Sequence, residues 1–293
     1  MTTAPAQPRL EQVLCLDAHG LHRMAYWEWG DAGNPHVVVC VHGLSRQGRD
    51  FDTLARDLAD ACRVVCPDVV GRGRSDRLAD PMGYTVPTYV ADMVTLVARL
   101  GAERIDWVGT SMGGLIGLGL ASLAGSPVRR LVLNDVGPAI EPVALARIGT
   151  YLGQPVTWAS VDEAADALWA ISQSFGPHTR EEWLALTRPQ LVPAPGGGFV
   201  SHYDPAIAVP FRAVTPEAAR AGEAALWQAY DRVSAPTLLL RGAQSDLLAL
   251  ATAQAMTRRG PKARLVEFAG VGHAPTLVHA DQRALVREFL LAP

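Results

Sequence analysis

Short apolar runs rich in valine and leucine recur along the chain, and they constrain its fold more than any other feature. They lack the polar alternation of a half-exposed strand, which is typical of strands buried on both faces of a sheet. The segments 36–43, 63–68, 105–111 and 128–135 have this character, and 235–242 and 263–270 are predicted as two further strands. Helical periodicity is found in segments 50–61, 86–101, 112–125, 248–260 and 281–292. This alternation predicts an α/β fold with a mostly parallel central sheet and helices on both faces.

Two regions depart from the alternation. Residues 13–18 and 21–30 are two strand-like runs separated by a His-Gly pair, which predicts an antiparallel hairpin. Residues 137–231 carry helical stretches, several prolines and four of the seven tryptophans. We therefore expect residues 137–231 to form a cap, inserted between strands 6 and 7 of the sheet. The core would then consist of residues 1–136 and 232–293.

The composition excludes several classes of function. Of the 293 residues, 49% are hydrophobic and 19% are charged, which is the balance of a chain that buries a large core. A net charge of -3 leaves no basic surface for nucleic acid. Neither a membrane span nor a secretory signal is predicted, so a cytoplasmic setting is expected. The four cysteines are too few for a disulfide scaffold, and no cluster of His or Cys near Cys62 and Cys66 completes a metal site, so no metal is predicted. No cofactor is predicted either.

The segment Gly109-Thr110-Ser111-Met112-Gly113 carries the strongest chemical signal. It has the pattern G-x-S-x-G at the end of a predicted strand and the start of a predicted helix, which is the context of a nucleophile elbow. A turn this tight requires small residues at the glycine positions. It also lifts the serine hydroxyl above the sheet, near backbone N–H groups at the helix N-terminus that favour negative charge. The pattern predicts Ser111 as a nucleophile.

A serine hydroxyl needs a base and the base needs an acid that orients it. Among the histidines after Ser111, His273 follows a predicted strand in a glycine-flanked loop, whereas His279 lies near the last helix. We therefore expect His273 to be the base. Asp246 and Asp135 both follow predicted strands, at the sheet edge where catalytic groups gather in open α/β sheets, and both are candidate acids. The backbone N–H groups of Leu44 and Met112 are the expected oxyanion hole.

Five segments together resemble motifs of the α/β-hydrolase superfamily. They occur in the same order as in that family and extend over nearly the whole chain. They are HGLS at 42–45, PDVVGRGRSD at 67–76, GTSMGG at 109–114, RGAQSD at 241–246 and GVGHAP at 270–275. The resemblance implies that Asp246, at the family's usual acid position, completes the triad of Ser111 and His273, with Asp135 as the alternative. It also indicates that the glycine- and arginine-rich segment 71–76 is a structural turn rather than a dinucleotide-binding loop.

The resemblance further implies a hydrolase that cleaves carboxylic esters through an acyl-enzyme. A serine nucleophile argues against dehalogenases and epoxide hydrolases, which use aspartate at that position. Perhydrolases (haloperoxidases), lactonases, thioesterases and carbon–carbon bond hydrolases remain alternatives, and a non-enzymatic ligand-binding member is a further one. The expected partner is a small-molecule ester with a hydrophobic portion, because the cap is rich in aromatic residues that can line an apolar pocket. The aromatic residues considered for that pocket are Trp158, Trp169, Phe175, Trp183, Phe199, Tyr203, Phe211, Trp227 and Tyr230. Leu247 and Leu248 are expected to add to that pocket.

Overall fold

A computed structural model describes residues 7–292 of the chain. The described residues form an eight-stranded sheet in the spatial order β1-β2-β4-β3-β5-β6-β9-β10. The strands of this sheet are β1 (Arg9–Asp17), β2 (Gly20–Trp29), β3 (Val37–Val41), β4 (Arg63–Pro67), β5 (Ile105–Thr110), β6 (Val128–Asn134), β9 (Thr237–Gly242) and β10 (Arg264–Phe268). β1 and β2 form an antiparallel hairpin, β2 pairs antiparallel with β4, and every other pair is parallel. The predicted fold class is confirmed.

Helices cover both faces of the sheet. They are α1 (Asp52–Leu58), α2 (Val86–Leu100), α3 (Met112–Ala121), α9 (Leu250–Met256) and α10 (Ala280–Leu291). The core on one face joins the sheet to α2, α3 and α9, and the core on the other face joins it to α1 and α10. The central strands are therefore buried on both sides, and each buried valine or leucine contributes about 1.5–3 kcal/mol of transfer free energy. This explains why their sequences lack polar alternation.

The chain between Asn134 and Thr237 leaves the sheet, and we call it the β6–β9 insertion. It contains α4 (Pro142–Tyr151), α5 (Val161–Ser172), α6 (Arg180–Thr187), α7 (Ala208–Arg212), α8 (Pro216–Arg232) and a hairpin of β7 (Leu191–Pro193) and β8 (Phe199–Ser201). Trp169 and Trp183 pack edge to face inside it, with ring centroids 5.0 Å apart. Among residues 7–292, no helix has both the length and the apolar character needed to cross a bilayer.

Candidate active site

Ser111 lies in the tight turn between β5 and α3. Its backbone has φ of 52° and ψ of -118°, a strained conformation with positive φ that residues other than glycine rarely adopt. A side chain at Gly109 would collide with the backbone of Gly113, and one at Gly113 would collide with the carbonyl oxygen of Val41. The two glycines therefore allow α3 to pack closely against the strands. This is the geometry expected of a nucleophile elbow.

His273 lies in the loop after β10 and contacts Ser111. Its Nε2 atom is 3.0 Å from the Ser111 hydroxyl oxygen, and its Nδ1 atom is 2.8 Å from Oδ2 of Asp135. A carboxylate on Nδ1 favours the tautomer that carries its proton there, which leaves Nε2 free to accept a proton from the serine. The structure thus brings together the expected serine and histidine, and it places the carboxylate of Asp135 rather than that of Asp246 on Nδ1 of the histidine.

The buried carboxylate of Asp135 is held by several donors. Asp135 is fully buried directly after β6, and it accepts hydrogen bonds from the Gly242 backbone N–H at 2.8 Å and the Ser245 hydroxyl at 2.6 Å. The His273 ring adds a third contact. A buried carboxylate with several donors has little freedom to rotate, so the orientation of the imidazole is also fixed.

The expectation that Asp246 orients His273 is wrong in this structure. Asp246 instead forms a two-point ion pair with Arg147 of α4, with distances of 2.7 Å from Nε to Oδ2 and 2.9 Å from Nη2 to Oδ1. Partial burial opposes ionisation of Asp246, but the hydrogen bonds and positive charge of Arg147 outweigh it and lower the pKa of the carboxyl. The physical reason is position: Asp135 adjoins the end of its strand, whereas Asp246 lies four residues beyond β9, where it reaches the insertion.

The backbone N–H groups of Leu44 and Met112 flank the serine turn. Among residues 7–292, neither group has an acceptor within the protein. Leu44 follows β3 and Met112 begins α3, and Ser111 and Leu44 line the same cavity. Two such donors beside a nucleophile can stabilise an oxyanion.

The sequence placed Arg72 only in a structural turn. In the structure its side chain contacts both Leu44 and Met112. The residue is 1% exposed, and its Nε donates to the Leu44 carbonyl oxygen at 2.9 Å. Its Nη2 lies 3.7 Å from the Met112 sulfur, and its Nη1 donates to Val70 O and to the Tyr89 hydroxyl. Arg72 therefore connects the segments that carry the two N–H groups. The sequence signal was an arginine inside a glycine-flanked turn, which gives no indication of where the side chain points.

His42 braces the loop after β3 through both nitrogens of its ring. Burial lowers the pKa of His42 well below its ordinary value, so the ring is neutral. Its Nδ1 donates to Gly43 O at 2.7 Å, and its Nε2 accepts from the Val69 backbone N–H at 3.0 Å. Both ring nitrogens are occupied, which removes His42 from proton transfer.

A cavity of about 350 Å³ opens above Ser111 and His273. One part of its wall is apolar and comes largely from the β6–β9 insertion, including Trp158, Leu168, Ile171 and Phe175. Of the aromatic residues expected there, Trp158, Phe175 and Tyr203 line the cavity. Leu247 and Leu248 were expected to contribute, but they are buried in the core and are not part of the lining.

The other part of the wall is a polar network between core and insertion. Arg46 forms a two-point ion pair with Asp50 at 2.6 and 2.7 Å, and Gln190 donates to the same carboxylate. His202 interacts with Gln190 at 2.9 Å and accepts from the Gly73 backbone N–H. Burial lowers the pKa of His202 to about 3, so this ring is neutral near pH 7. The cavity therefore combines an apolar wall with fixed polar groups, as small-molecule sites usually do.

A group with metal-binding side chains lies elsewhere in the fold. Donor atoms of Cys15, His22 and Asp92 lie within 4.8 Å of one another, and all three residues are buried. The His22 ring already pairs with the Asp92 carboxylate at 3.1 Å. This contact connects the β1–β2 hairpin to α2. None of the three residues lines the cavity.

Comparison with known proteins identifies the family. Residues 36–280 match the family described as the alpha/beta hydrolase fold. The chain belongs to this family. The chain is also 56% identical over 287 residues to a 3-hydroxybutyrate-oligomer hydrolase from Cupriavidus necator, which covers 97% of this chain and 98% of that protein. The expected ester-cleaving serine hydrolase is confirmed by this similarity and by membership of the alpha/beta hydrolase family.

Solved structures of alpha/beta hydrolases superpose closely on the chain. A putative hydrolase from Rickettsia typhi has a TM-score of 0.87 and 29% identity, with 97% of this chain and 99% of that chain covered. An alpha/beta hydrolase from Novosphingobium aromaticivorans has a TM-score of 0.85 and 35% identity, with 98% of this chain and 99% of that chain covered. The likeness extends through the β6–β9 insertion as well as the sheet.

Proposed function

We propose that this protein hydrolyses the ester bonds of short 3-hydroxybutyrate oligomers through an acyl-enzyme on Ser111. The observation that carries the chemistry is the continuous contact from Ser111 through His273 to Asp135. The substrate class rests on the oligomer hydrolase that is 56% identical over almost the full length of both chains. The cavity supports it, since its apolar wall suits the methyl-bearing chain and its polar wall suits ester carbonyls.

The first half of the reaction acylates the serine. The Ser111 oxygen attacks the ester carbonyl carbon while His273 Nε2 takes the hydroxyl proton. The resulting imidazolium is stabilised by the Asp135 carboxylate on Nδ1, and the oxyanion accepts hydrogen bonds from the N–H groups of Leu44 and Met112. The carbon–oxygen bond to the alcohol then breaks, and the alcohol leaves with the proton from His273.

The second half of the reaction releases the acid. A water molecule attacks the acyl-enzyme carbonyl while His273 takes one of its protons. The second tetrahedral species occupies the same oxyanion site, and its collapse returns the proton to Ser111. Residues 137–231 act as a cap that shields the acyl-enzyme and shapes the substrate cavity. No step requires a metal or a cofactor.

The proposal is tested with wild type and Ser111→Ala on 3-hydroxybutyrate dimer and trimer and on p-nitrophenyl butyrate. We expect Ser111→Ala to lose about 10⁴-fold or more in kcat and to lose labelling by a fluorophosphonate. Full activity in this variant would contradict the acyl-enzyme. Turnover of p-nitrophenyl butyrate by wild type without turnover of the oligomers would overturn the substrate assignment and leave the serine mechanism intact.

A further inference from the structure

Arg147 differs from the other charged groups that line the cavity. Arg46 and Asp50 neutralise each other inside the lining, and His42 and His202 are neutral. Arg147 also lines the cavity, but its counter-ion, Asp246, lies outside the lining. The guanidinium of Arg147 therefore faces the cavity, whereas the carboxylate that holds it is not part of the cavity wall.

The contact with Asp246 leaves part of the Arg147 guanidinium available. Asp246 occupies the edge formed by Nε and Nη2, so the Nη1 edge takes no part in that ion pair. The pair fixes the guanidinium plane, because two parallel hydrogen bonds permit little rotation. Side-chain exposure is 34% for Arg147, against 16% for Arg46, which also has a contact with the Leu186 carbonyl.

Neighbouring residues of the insertion make this end of the cavity polar. Tyr151 lies one helical turn after Arg147 on α4, and its hydroxyl interacts with the guanidinium. Burial raises the pKa of Tyr151, so the hydroxyl keeps its proton and remains a donor. Thr150 and Gln154 also line the cavity at this end of α4. Arg147 therefore lies among several polar groups of the cavity wall, although Ile148 and Val156 add apolar surface nearby in the chain.

We propose that Arg147, positioned by Asp246, binds the terminal carboxylate of the substrate, so that the enzyme selects ester substrates with a free acid end. The proposal rests on the proposed function, because every linear hydroxybutyrate oligomer carries one carboxylate. It assigns Asp246 a positioning role for specificity in place of the catalytic role expected from the sequence. Since the hydrolysis of each ester bond leaves fragments with carboxylate ends, these products bind the same subsite.

The test compares the linear 3-hydroxybutyrate dimer with the same dimer bearing a terminal carboxamide. This neutral analogue has nearly the same shape and the same scissile ester. The measured quantity is the ratio of kcat/KM for the acid to that for the amide, in wild type, Arg147→Gln and Arg180→Gln. Arg180 is a matched control because it is an arginine of the insertion that pairs with Asp162 and Asp166 and does not line the cavity.

We expect wild type and Arg180→Gln to prefer the acid about 10-fold or more, and Arg147→Gln to reduce this ratio to near one. Arg147→Lys, which keeps the charge without the planar fork, is expected to give a value between them. A wild-type ratio near one would overturn the proposal. An unchanged ratio in Arg147→Gln, with equal losses on both dimers, would also overturn it and would indicate a role in packing of the insertion.

A second measurement separates this proposal from the oligomer assignment. The acid and amide dimers are used as competitive inhibitors of p-nitrophenyl butyrate hydrolysis. If the dimers bind but are not hydrolysed, the oligomer function fails, and stronger inhibition by the acid that is lost in Arg147→Gln still supports the carboxylate subsite. Equal inhibition by acid and amide in wild type would contradict the subsite whatever the true substrate is.

Discussion

Asp135 Oδ2 lies 2.8 Å from Nδ1 of His273, although the two residues are 138 positions apart in the chain. Asp135 follows β6 and His273 follows β10, and both strands are parallel neighbours of β9, so the loops after them lie at the same edge of the sheet. Asp135 follows β6 directly and is also bound by Gly242 N–H and the Ser245 hydroxyl after β9. The end of β9 and the loop after it thus supply hydrogen-bond donors to the Asp135 carboxylate.

A matched pair of substitutions tests the identity of the acid. We expect Asp135→Asn to lower kcat on p-nitrophenyl butyrate by about 10⁴-fold, because an amide no longer favours the correct tautomer or stabilises the imidazolium. Asp246→Asn makes the same chemical change at the other candidate position and is expected to cost about 10-fold at most. Steady-state kinetics with thermal unfolding as the fold control would check this. The opposite order of the two losses would restore Asp246 as the acid.

The sequence predicted most of the fold because burial on both faces leaves a visible pattern. The runs before and after the serine turn, 105–111 and 112–125, correspond to β5 and α3 in the structure. The nucleophile elbow was visible because its turn requires glycine at two positions where a Cβ would meet backbone. His273 was visible because its glycine-flanked loop follows a strand.

The acid could not be chosen from the sequence, because both candidates follow adjacent strands of one sheet. In the register of that sheet Asn134 pairs with Leu240, so Asp135 and Asp246 start from the same edge. Which carboxylate turns towards His273 depends on loop conformation and on Arg147, a residue of the insertion almost 100 positions from its partner Asp246. Arg72 was missed for a similar reason, since only the folded structure shows its contact with Leu44.

Arg72 is expected to act on turnover through the position of the Leu44 peptide. Removing one oxyanion donor costs about 10²–10³-fold in kcat, and displacing one costs less. We therefore expect Arg72→Met to lower kcat about 10–100-fold with a smaller change in KM on p-nitrophenyl butyrate. Because Arg72 is buried, the rate of fluorophosphonate labelling of the folded fraction provides a second readout. A loss of thermal stability without a fall in kcat would show that Arg72 has a structural role only.

A substitution at Gly113 tests the close packing between the start of α3 and the end of β3. A Cβ at this position meets the Val41 carbonyl, which cannot move without disturbing β3, so we expect Gly113→Ala to reduce the free energy of unfolding by about 1–3 kcal/mol or more. Gly196→Ala is the control, because a Cβ there has no neighbour within 4 Å among the described residues. Urea unfolding of both variants measures the difference. Equal stability of the two would contradict the packing argument.

The raised pKa of Asp68 leads to a specific expected dependence of protein stability on pH. Burial raises its pKa from 3.8 to about 6, against hydrogen bonds from the N–H groups of Arg74 and Gly48. The folded state therefore binds the proton more tightly than the unfolded state, and the free energy of unfolding falls as pH rises from about 4 to 6. A pKa difference of about 2 corresponds to about 3 kcal/mol for this one group.

The substitution Asp68→Asn isolates this contribution, because the amide does not titrate. We expect the fall in unfolding free energy between pH 4 and pH 7 to be about 2–3 kcal/mol smaller in Asp68→Asn than in wild type, whatever the absolute stability of the variant. Asp166→Asn, at a side chain that is 73% exposed, is the matched control and is expected to follow wild type closely. Urea titrations at several pH values measure the slopes. Parallel curves for wild type and Asp68→Asn would show that Asp68 has the same pKa in the folded and unfolded protein, with its hydrogen-bond donors offsetting the cost of burial.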